Sequence, residues 1–226
     1  MSAASSSKRD TPDPHWGATP PAAIQKIYAA LAASITPRSD LIYGTPYQLL
    51  VAVVLSAQAT DRSVNEATAR LFPVAGDAAA MLALGVQGLK PYIQRIGLFN
   101  TKAVNVIELS RLLLERHGGQ VPSTRAELEA LPGVGRKTAN VVLNIAFGQP
   151  TIAVDTHVHR VANRLGIART TQVEATEQVL LARTPARFRQ HAHHYLILHG
   201  RYCCTARAPR CAACPVARWC PSRGIG

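Results

Sequence analysis

Apolar residues recur along most of this chain at intervals of three and four positions, whereas strict alternation of polar and apolar residues is rare. The first pattern is typical of amphipathic α-helices and the second of half-buried strands. Short turns separate the helical stretches, and no repeat of fixed period is present. The sequence therefore predicts an all-α protein, with helices at 22–34, 47–58, 63–72, 102–118 and 158–166.

Signals for helix ends lie in the middle of the chain. Gly118 follows the basic end of the helix predicted at 102–118 and is a typical stop. Thr124 and Glu127 have the spacing of a capping box, which predicts that another helix starts there. We expect that helix to end at Leu131 and a further helix to begin near Arg136.

Two stretches raise the question of secretion or membrane insertion. Residues 1–20 hold no apolar run of the kind that a secretory signal needs, and their composition predicts a disordered tail. Residues 41–60 carry no charge, but Gly44 and Pro46 interrupt them, and the apolar run that follows is too short to span a bilayer. We expect a buried helix there, and a cytoplasmic protein that does not enter membranes.

Basic residues outnumber acidic ones by 25 to 13, which gives a formal net charge of +12. From residue 155 to the end, eleven Arg face three acidic residues, a net charge of +8. Such an excess favours a polyanionic partner, because Lys and Arg that neutralise phosphates release condensed counterions. Nucleic acid is the first candidate and an anionic membrane surface the second. Compositional bias remains a third explanation, since Arg and Ala are abundant throughout.

The segment LPGVGRKTAN at 131–140 has the pattern of a tight turn between two helices. Gly133 and Gly135 permit positive φ and the close approach of another backbone. Free N–H groups at the start of the second helix would point outward, where a phosphate can accept hydrogen bonds. A Walker A loop is excluded, because Arg136 stands where that motif needs Gly and no strand precedes it. A plain turn without a ligand is the alternative, and the positive charge favours phosphate.

Lys137 is one of only five Lys among the 25 basic residues, and it lies in the first turn of the second predicted helix. Lys137, Asn140 and Asn144 share one face of that helix, which is otherwise apolar. The positive end of the helix dipole and the neighbouring Arg136 disfavour an ammonium there, and the neutral amine is a nucleophile. Arg keeps its proton and cannot form an imine, so only Lys could serve in that role.

Asp155 has two interpretations that remain open. In IAVDTHVHR, Asp155 or Thr156 directly precedes a helix with Val158 and Val161 on its apolar face. An Asp in that position is most simply a helix N-cap. A carboxylate near an activated Lys could also stabilise positive charge or move protons, and both roles can coexist.

All five Cys lie between positions 203 and 220. Nothing indicates secretion, and an odd number of thiols cannot pair completely, which argues against a disulfide framework. Four of them have the spacing C-x6-C-x2-C-x5-C, which suits an iron-sulfur cluster better than structural zinc, although zinc remains open. These four are Cys204, Cys211, Cys214 and Cys220. His191, His193 and His194 do not share one helical face, and we interpret them as packing or hydrogen-bonding residues.

With these features assembled, the chain from about residue 22 to Cys220 resembles the endonuclease III family of bifunctional DNA glycosylases, within the helix-hairpin-helix superfamily. The resemblance is carried by the four-Cys pattern and by LSAQATD (55–61), IGLFNTKA (96–103), LPGVGRKTANVVLNIAFG (131–148) and VDTHVHRVANR (154–164). It implies two helical domains with a DNA-binding cleft between them. The iron-sulfur cluster domain would comprise 21–38 plus 150–226, and the six-helix barrel 39–149, with the helix-hairpin-helix at 124–148.

The resemblance also implies roles for single residues. Lys137 matches the catalytic Lys and Asp155 the catalytic Asp, while the four Cys named above match the ligands of a [4Fe-4S] cluster. Cys203 departs from the pattern as an additional thiol, and spacing favours its neighbour as the ligand. Gln58 and Leu98 match positions in two loops that fill or wedge the duplex. The implied DNA-binding residues are Gly133, Val134, Gly135, Arg136, Gln58, Leu98 and His157.

The implied activity is excision of oxidised pyrimidines from duplex DNA through a Lys137 Schiff base, followed by β-elimination at the abasic site. The expected partner is double-stranded DNA that contains such a lesion or an abasic site, and the protein is expected to be a monomer associated with the nucleoid. An adenine mismatch glycosylase is the alternative within the superfamily, but that enzyme lacks the catalytic Lys and carries a further C-terminal domain. A non-enzymatic DNA-binding or redox-sensing protein is the second alternative, against which Lys137 and Asp155 together count.

Overall fold

A computed structural model describes residues 17–224, and most of the predicted tail, residues 1–16, lies outside this range. Within the range the chain forms eleven α-helices, two short 3-10 turns and no β-strand, so the predicted all-α fold is confirmed. The helices are α1 (Pro21–Ser34), α2 (Pro46–Ser56), α3 (Asp61–Leu71), α4 (Ala78–Ile93), α5 (Phe99–His117), α6 (Arg125–Glu129), α7 (Arg136–Phe147), α8 (Thr156–Arg164), α9 (Val173–Arg183), α10 (Ala186–Arg189) and α11 (Ala192–Tyr202). The 3-10 turns are Cys211–Ala213 and Ala217–Trp219.

The helices predicted from periodicity are all present, whereas α4, α9, α10 and α11 were not predicted. The sequence of α4 is apolar on nearly all sides, and the helix is interrupted at Gly85, where φ is 66° and ψ is 172°. In α9 polar and apolar residues are mixed around the whole circumference. Helix α9 therefore lacks the 3.6-residue signal on which prediction from periodicity depends, whereas Gly85 and Pro91 interrupt the pattern of α4.

The predicted signals at the helix ends are present in the structure. Gly118 ends α5 in the left-handed conformation, with φ of 58°. Thr124 caps α6, because its hydroxyl accepts a hydrogen bond from the Glu127 backbone N–H. The Glu127 carboxylate accepts in turn from the Thr124 hydroxyl at 2.5 Å, whereas a capping box would use the backbone N–H.

The first hydrophobic core is formed by the six helices α2 to α7. Leu50, Val51 and Leu55 of α2 are fully buried in it, as expected for the uncharged stretch at 41–60. Each large aliphatic side chain buried in this way stabilises the fold by about 1.5–3 kcal/mol. In the part of the chain that the structure describes, no helix is both long and apolar enough to cross a membrane.

The second core combines both ends of the described chain, because α1 packs with α8 to α11. Tyr28 of α1 stacks on Phe188 with 5.7 Å between ring centroids, and its hydroxyl lies 3.0 Å from that of Thr184. Thr19, near the end of the predicted tail, donates from its hydroxyl to the Leu165 carbonyl at 2.7 Å. The segment before α1 is therefore anchored on the second core.

Polar contacts connect the two cores. The buried Glu177 of α9 accepts from Nε and Nη2 of Arg136 at 2.8 and 3.1 Å, and Arg125 Nη2 lies 3.7 Å from the same carboxylate. Asn144 Nδ2 donates to the Gln190 carbonyl at 3.0 Å, and Gln190 Nε2 donates to the Asn144 carbonyl at 3.1 Å. These contacts hold α6 and α7 of the first core against elements of the second.

Candidate active site

A cleft of about 590 Å³ is lined by residues from both cores. The first core contributes α7 and the loop after α2, and the second contributes α11 and the start of α8. This volume lies within the range typical of sites for small organic ligands. Four predicted site residues line the cleft, namely Gln58, Lys137, Asp155 and His157. The structure thus places Lys137 and Asp155, which belong to different cores, at one site.

Lys137 reaches the cleft from the first turn of α7. Gly135 is the N-cap of this helix, and no side chain caps its first turn. The first backbone N–H groups of a helix have no partner within it, so those of α7 can donate to an external acceptor. The Lys137 side chain is exposed beside them. The N-terminal end of α7 therefore presents the positive end of the helix dipole and the Lys137 amine together.

Gly133 and Gly135 of the hairpin are needed for different reasons. Gly133 has φ of 77°, and a Cβ there would lie 3.0 Å from Asn105 Nδ2 and 3.3 Å from Val54 Cγ1. Gly135 has φ of −93°, and a Cβ there would have no atom of the described chain within 4 Å. The fold itself requires Gly133, whereas close approach by an external group remains the reason for Gly135.

The side chains of Val134 and Arg136, both predicted to bind DNA, are engaged within the protein. Val134 packs in the first core and is 5% exposed. The Arg136 guanidinium is paired with Glu177, whose hydrogen bonds raise the pKa of this Arg. Sequence reasoning missed the pair because Glu177 lies on the unpredicted helix α9, 41 residues away. The Val134 backbone N–H also donates within the hairpin, to the Leu131 carbonyl at 3.1 Å. At Arg136, the first residue of α7, the backbone N–H remains available to a ligand.

Asp155 is the N-cap of α8, as one of its two interpretations predicted. Its Oδ1 accepts a hydrogen bond from the Val158 backbone N–H at 2.8 Å. The carboxylate is also half-buried and lines the cleft. Because the cap uses one carboxylate oxygen, the other is available to a group in the cleft.

The polar stripe predicted on α7 is divided in the structure. Asn140 and Asn144 are buried, and Asn144 Nδ2 donates to the carbonyls of Gln149 and Thr151 at 3.0 and 3.1 Å. Of the three residues in the stripe, Lys137 alone lines the cleft. The Asn144 side chain therefore anchors the segment between α7 and α8, whereas Asn140 contributes through its backbone carbonyl, which accepts from the Thr151 hydroxyl at 2.6 Å.

His193 lines the cleft as well, although the sequence indicated only a packing or hydrogen-bonding role. Its Nδ1 lies 2.7 Å from the Ala153 carbonyl, which can only accept, so Nδ1 carries the hydrogen. Burial lowers the pKa of His193 to about 4, His194 and Lys137 lower it as well, and Asp155 opposes them. At neutral pH His193 is therefore an uncharged residue within the electrostatic reach of Lys137 and Asp155.

Arg201 and two acidic residues form a further group in the cleft that sequence reasoning missed. Arg201 Nη1 lies 2.9 Å from Asp61 Oδ2 and 3.2 Å from Asp40 Oδ2. The three residues are far apart in the sequence, so no local pattern indicated the contact. They link α11 of the second core to the start of α3 in the first.

Gln58 and Leu98 are the two non-glycine residues with positive φ in the described range, at 54° and 60°. This left-handed conformation costs on the order of 1–2 kcal/mol for a residue with a side chain. Leu98 is also 60% exposed, unlike most large apolar residues. Positive φ at both residues and the exposed side chain of Leu98 therefore distinguish these two loops from the rest of the described chain.

A second, smaller cavity gathers the thiols. All five Cys line it together with His199. The donor atoms of His199, Cys203 and Cys214 lie within 4.8 Å of one another, so this group could hold a metal ion. The sequence left Cys203 out of the ligand set and did not consider His199, although His199 lies on the helix that leads into the Cys segment.

The chemistry of this cavity fits a metal centre. Burial raises the pKa of Cys203 to about 12, with a further contribution from Cys214, and burial also raises the pKa of Cys220. Thiols held so close together ionise jointly only when a cation neutralises them. Arg164 Nη1 also lies 3.6 Å from Cys204 Sγ, which places a positive charge beside the thiols.

The fold and the cleft together define the class of this protein. Residues 51–186 match the family described as HhH-GPD superfamily base excision DNA repair protein, and the chain belongs to this family. The resemblance stated from the sequence motifs is thereby confirmed.

Similarity to individual proteins is more specific. The chain is 60% identical over 184 residues to endonuclease III of Escherichia coli K12, which covers 81% of this chain and 87% of that protein. It is 54% identical over 194 residues to endonuclease III of Treponema pallidum, which covers 86% and 92%. Among solved structures, a trapped endonuclease III–DNA covalent intermediate has a TM-score of 0.84 and 41% identity, with coverage of 89% of this chain and 96% of that one.

Proposed function

We propose that this protein is a base excision repair DNA glycosylase that removes oxidised pyrimidines from duplex DNA and then cleaves the strand as an abasic-site lyase. The observation that carries the proposal is the presence of Lys137 and Asp155 in one cleft, beside a hairpin with available backbone N–H groups. The similar structure of a covalent endonuclease III–DNA intermediate supports a covalent step.

In the proposed reaction the neutral amine of Lys137 attacks C1′ of the damaged nucleotide, and the bond from C1′ to the base breaks. The base leaves with the bonding electrons and takes up a proton, while the lysine nitrogen loses protons as the sugar opens to a Schiff base. Removal of a C2′ proton then expels the 3′ phosphate by β-elimination, and water releases the lysine. The free carboxylate oxygen of Asp155 stabilises the cationic sugar and assists the proton transfers.

Binding uses the surfaces on either side of the cleft. The backbone N–H groups of Gly133, Gly135 and Arg136 hold a DNA phosphate at the positive end of α7. The damaged nucleotide rotates out of the duplex, which is easiest where base pairing is already weakened. Gln58 and Leu98 fill the space that it leaves, and His157 contacts the DNA at the edge of the cleft.

We further propose a [4Fe-4S] cluster with Cys204, Cys211, Cys214 and Cys220 as ligands, the set that the spacing favours. All four thiols line one cavity, and Cys204, Cys214 and Cys220 pack against the second core, which supports this assignment. When bound, the cluster would fix the C-terminal loop and its arginines for contact with DNA, and it would take no part in base removal.

The two cores correspond in this proposal to two domains, with boundaries near residues 38/39 and 149/150. The enzyme acts as a monomer in the cytoplasm, where it associates with the nucleoid through DNA. Its substrates are duplexes that contain an oxidised pyrimidine or an abasic site.

Borohydride trapping on a duplex with one thymine glycol tests the proposal. Borohydride reduces a Schiff base to a stable amine, so wild-type protein should form a covalent adduct that survives denaturing electrophoresis. Lys137→Arg keeps the charge but cannot form an imine, so it should bind the duplex and give neither adduct nor strand cleavage. An undamaged duplex is the control for specificity.

The outcomes separate the possible activities. An adduct with Lys137→Arg would show that another amine is the nucleophile. Base release without an adduct from wild-type protein would indicate a monofunctional glycosylase. Binding without base release would support the DNA-binding or sensing alternative.

A further inference from the structure

Lys102 of α5 is buried, at 5% exposure, which is rare for a Lys. Its Nζ donates to the Leu55 carbonyl at 2.8 Å and to the Ala57 carbonyl at 2.5 Å. Both carbonyls belong to the C-terminal end of α2, which has unpaired acceptors and the negative end of the helix dipole. The buried ammonium of Lys102 thus caps the C-terminal end of α2.

The position of these carbonyls links Lys102 to both strained residues. Gln58, with φ of 54°, directly follows Ala57. Leu98, with φ of 60°, precedes α5, and its carbonyl accepts from the Lys102 backbone N–H at 3.0 Å. One residue therefore holds the Gln58 loop with its side chain and the Leu98 loop with its backbone.

The two loops also touch each other. A Cβ on Gly97 would lie only 3.4 Å from the Gln58 carbonyl oxygen, so the backbone before Leu98 runs against the Gln58 loop. A change in the position of the α2 end would therefore be transmitted to both loops.

Burying the ammonium of Lys102 costs free energy, which its hydrogen bonds to the end of α2 offset. The ion pairs found among residues 17–224 do not include Lys102, so its ammonium is held by carbonyls and not by a carboxylate. Burial lowers its pKa accordingly. Desolvation of this charge costs free energy that an apolar side chain such as Met would not cost, although Met would leave the Leu55 and Ala57 carbonyls without a donor.

We infer that Lys102 is a positioning residue, which holds the Gln58 and Leu98 loops in the strained arrangement needed to occupy the duplex when the damaged nucleotide leaves. This inference rests on the proposed function. Lys102 touches neither Lys137 nor the reacting sugar in this scheme, because it acts only through the two loops. Its effect should therefore appear in nucleotide extrusion and not in the covalent chemistry itself.

The test compares Lys102→Met with Lys26→Met, which removes the same charge from an exposed position on α1. Base release is measured with saturating enzyme on the thymine glycol duplex. Lys102→Met should slow it by on the order of 10- to 100-fold, because small misplacement of positioning groups has effects of this size. Lys26→Met should match wild type. Lys102→Met should remain folded at the assay temperature, although its melting temperature should fall, because the Leu55 and Ala57 carbonyls lose their donor.

A fluorescence signal separates positioning from a general loss of structure. 2-Aminopurine is placed opposite the lesion, where it brightens when it loses its stacking partners, and Lys137→Ala is added to every protein to stop the chemistry. Lys102→Met should lose most of the fluorescence rise that the Lys137→Ala protein gives. A full rise, or an unchanged rate of base release, would overturn the inference. If wild-type protein itself releases no base, the result contradicts the proposed glycosylase function and not the positioning role of Lys102.

A second variant and a double-mutant cycle keep the inference testable if Lys102→Met folds poorly. Lys102→Gln retains a shorter N–H donor and should give a smaller defect in the same fluorescence signal. In a Gln58→Ala/Leu98→Ala protein, changing Lys102 should slow base release by less than about twofold, because residues that act as a unit are not additive. If changing Lys102 slows base release by the same factor in this protein as in wild type, Lys102 acts independently of the loops.

Discussion

At the scale of single residues, Asp155 shows how one side chain can serve the fold and the chemistry together. Its Oδ1 caps α8 through Val158, which a local sequence pattern could predict. Its place in the same cleft as Lys137 could not be predicted from the local pattern, because the two residues come from different cores. The partner of Arg136 was missed for the same reason. Contacts within a few residues follow from spacing, whereas contacts across the cleft depend on the complete packing.

Two substitutions of Asp155 separate its roles. Asp155→Asn keeps the Oδ1 acceptor, and Asn caps helices about as well as Asp, so the free energy of unfolding should change by less than about 0.5 kcal/mol. Without the charge, base release should slow by about 100-fold or more. Asp155→Ala loses the cap too and should be less stable by about 1 kcal/mol. Urea unfolding and single-turnover base release measure the two effects.

Asp77 provides the matched control, because it caps α4 in the same way, with 2.8 Å from Oδ1 to the Ala80 backbone nitrogen. Asp77→Asn should leave base release at the wild-type rate. If Asp155→Asn is as unstable as Asp155→Ala, or retains full activity, the division of roles between the two carboxylate oxygens is wrong.

At the scale of elements, the hairpin between α6 and α7 was predicted well because its signals are local. The cap at Thr124, the short Gly-rich turn and the start of α7 at Arg136 are all present. Helix α9 was missed because its mixed circumference gives no periodic signal. Yet α9 supplies Glu177, which holds the hairpin through Arg136. The hairpin could thus be predicted from the sequence, whereas the contact with α9 that holds it could not.

The hairpin glycines give a prediction at this scale. Gly135→Ala places a methyl group in open space and should change the free energy of unfolding by less than about 1 kcal/mol. The methyl group should obstruct a phosphate at the start of α7 and weaken duplex binding by about tenfold, the loss of roughly one charge-assisted hydrogen bond. Gly133→Ala should instead destabilise the protein, since Asn105 and Val54 exclude a Cβ there. Chemical unfolding and fluorescence anisotropy with a labelled duplex measure these effects, and unchanged affinity of Gly135→Ala would place the phosphate elsewhere.

At the scale of the whole molecule, catalysis in this proposal depends on the relation between the two cores. Lys137 and Asp155 both line the cleft but belong to different cores, so each must be held by the core that carries it. The pairs of Glu177 with Arg136 and Arg125, and of Arg201 with Asp61, connect the cores. Net charge and composition indicated a nucleic-acid partner, but they contain no information about this alignment, which arises only when the cores pack.

Glu177→Gln tests whether this connection positions the catalytic pair. The substitution keeps the size of the side chain and removes the charge that faces two Arg. Because both Arg are partly exposed and can turn to water, the free energy of unfolding should fall by only about 1–3 kcal/mol. Glu66→Gln, which breaks the exposed pair with Arg62, should cost less than about 0.5 kcal/mol.

The effect on activity decides what the connection does. If it aligns the cores, Glu177→Gln should slow base release at saturating DNA, while duplex affinity is kept or rises because Arg136 is free to reach a phosphate. Single-turnover rates and anisotropy on the same preparations, well below the melting temperature, measure both quantities. A loss of stability with an unchanged rate would show that Glu177 supports the fold alone, and that the placement of Lys137 and Asp155 in one cleft is secured by the remaining contacts between the cores.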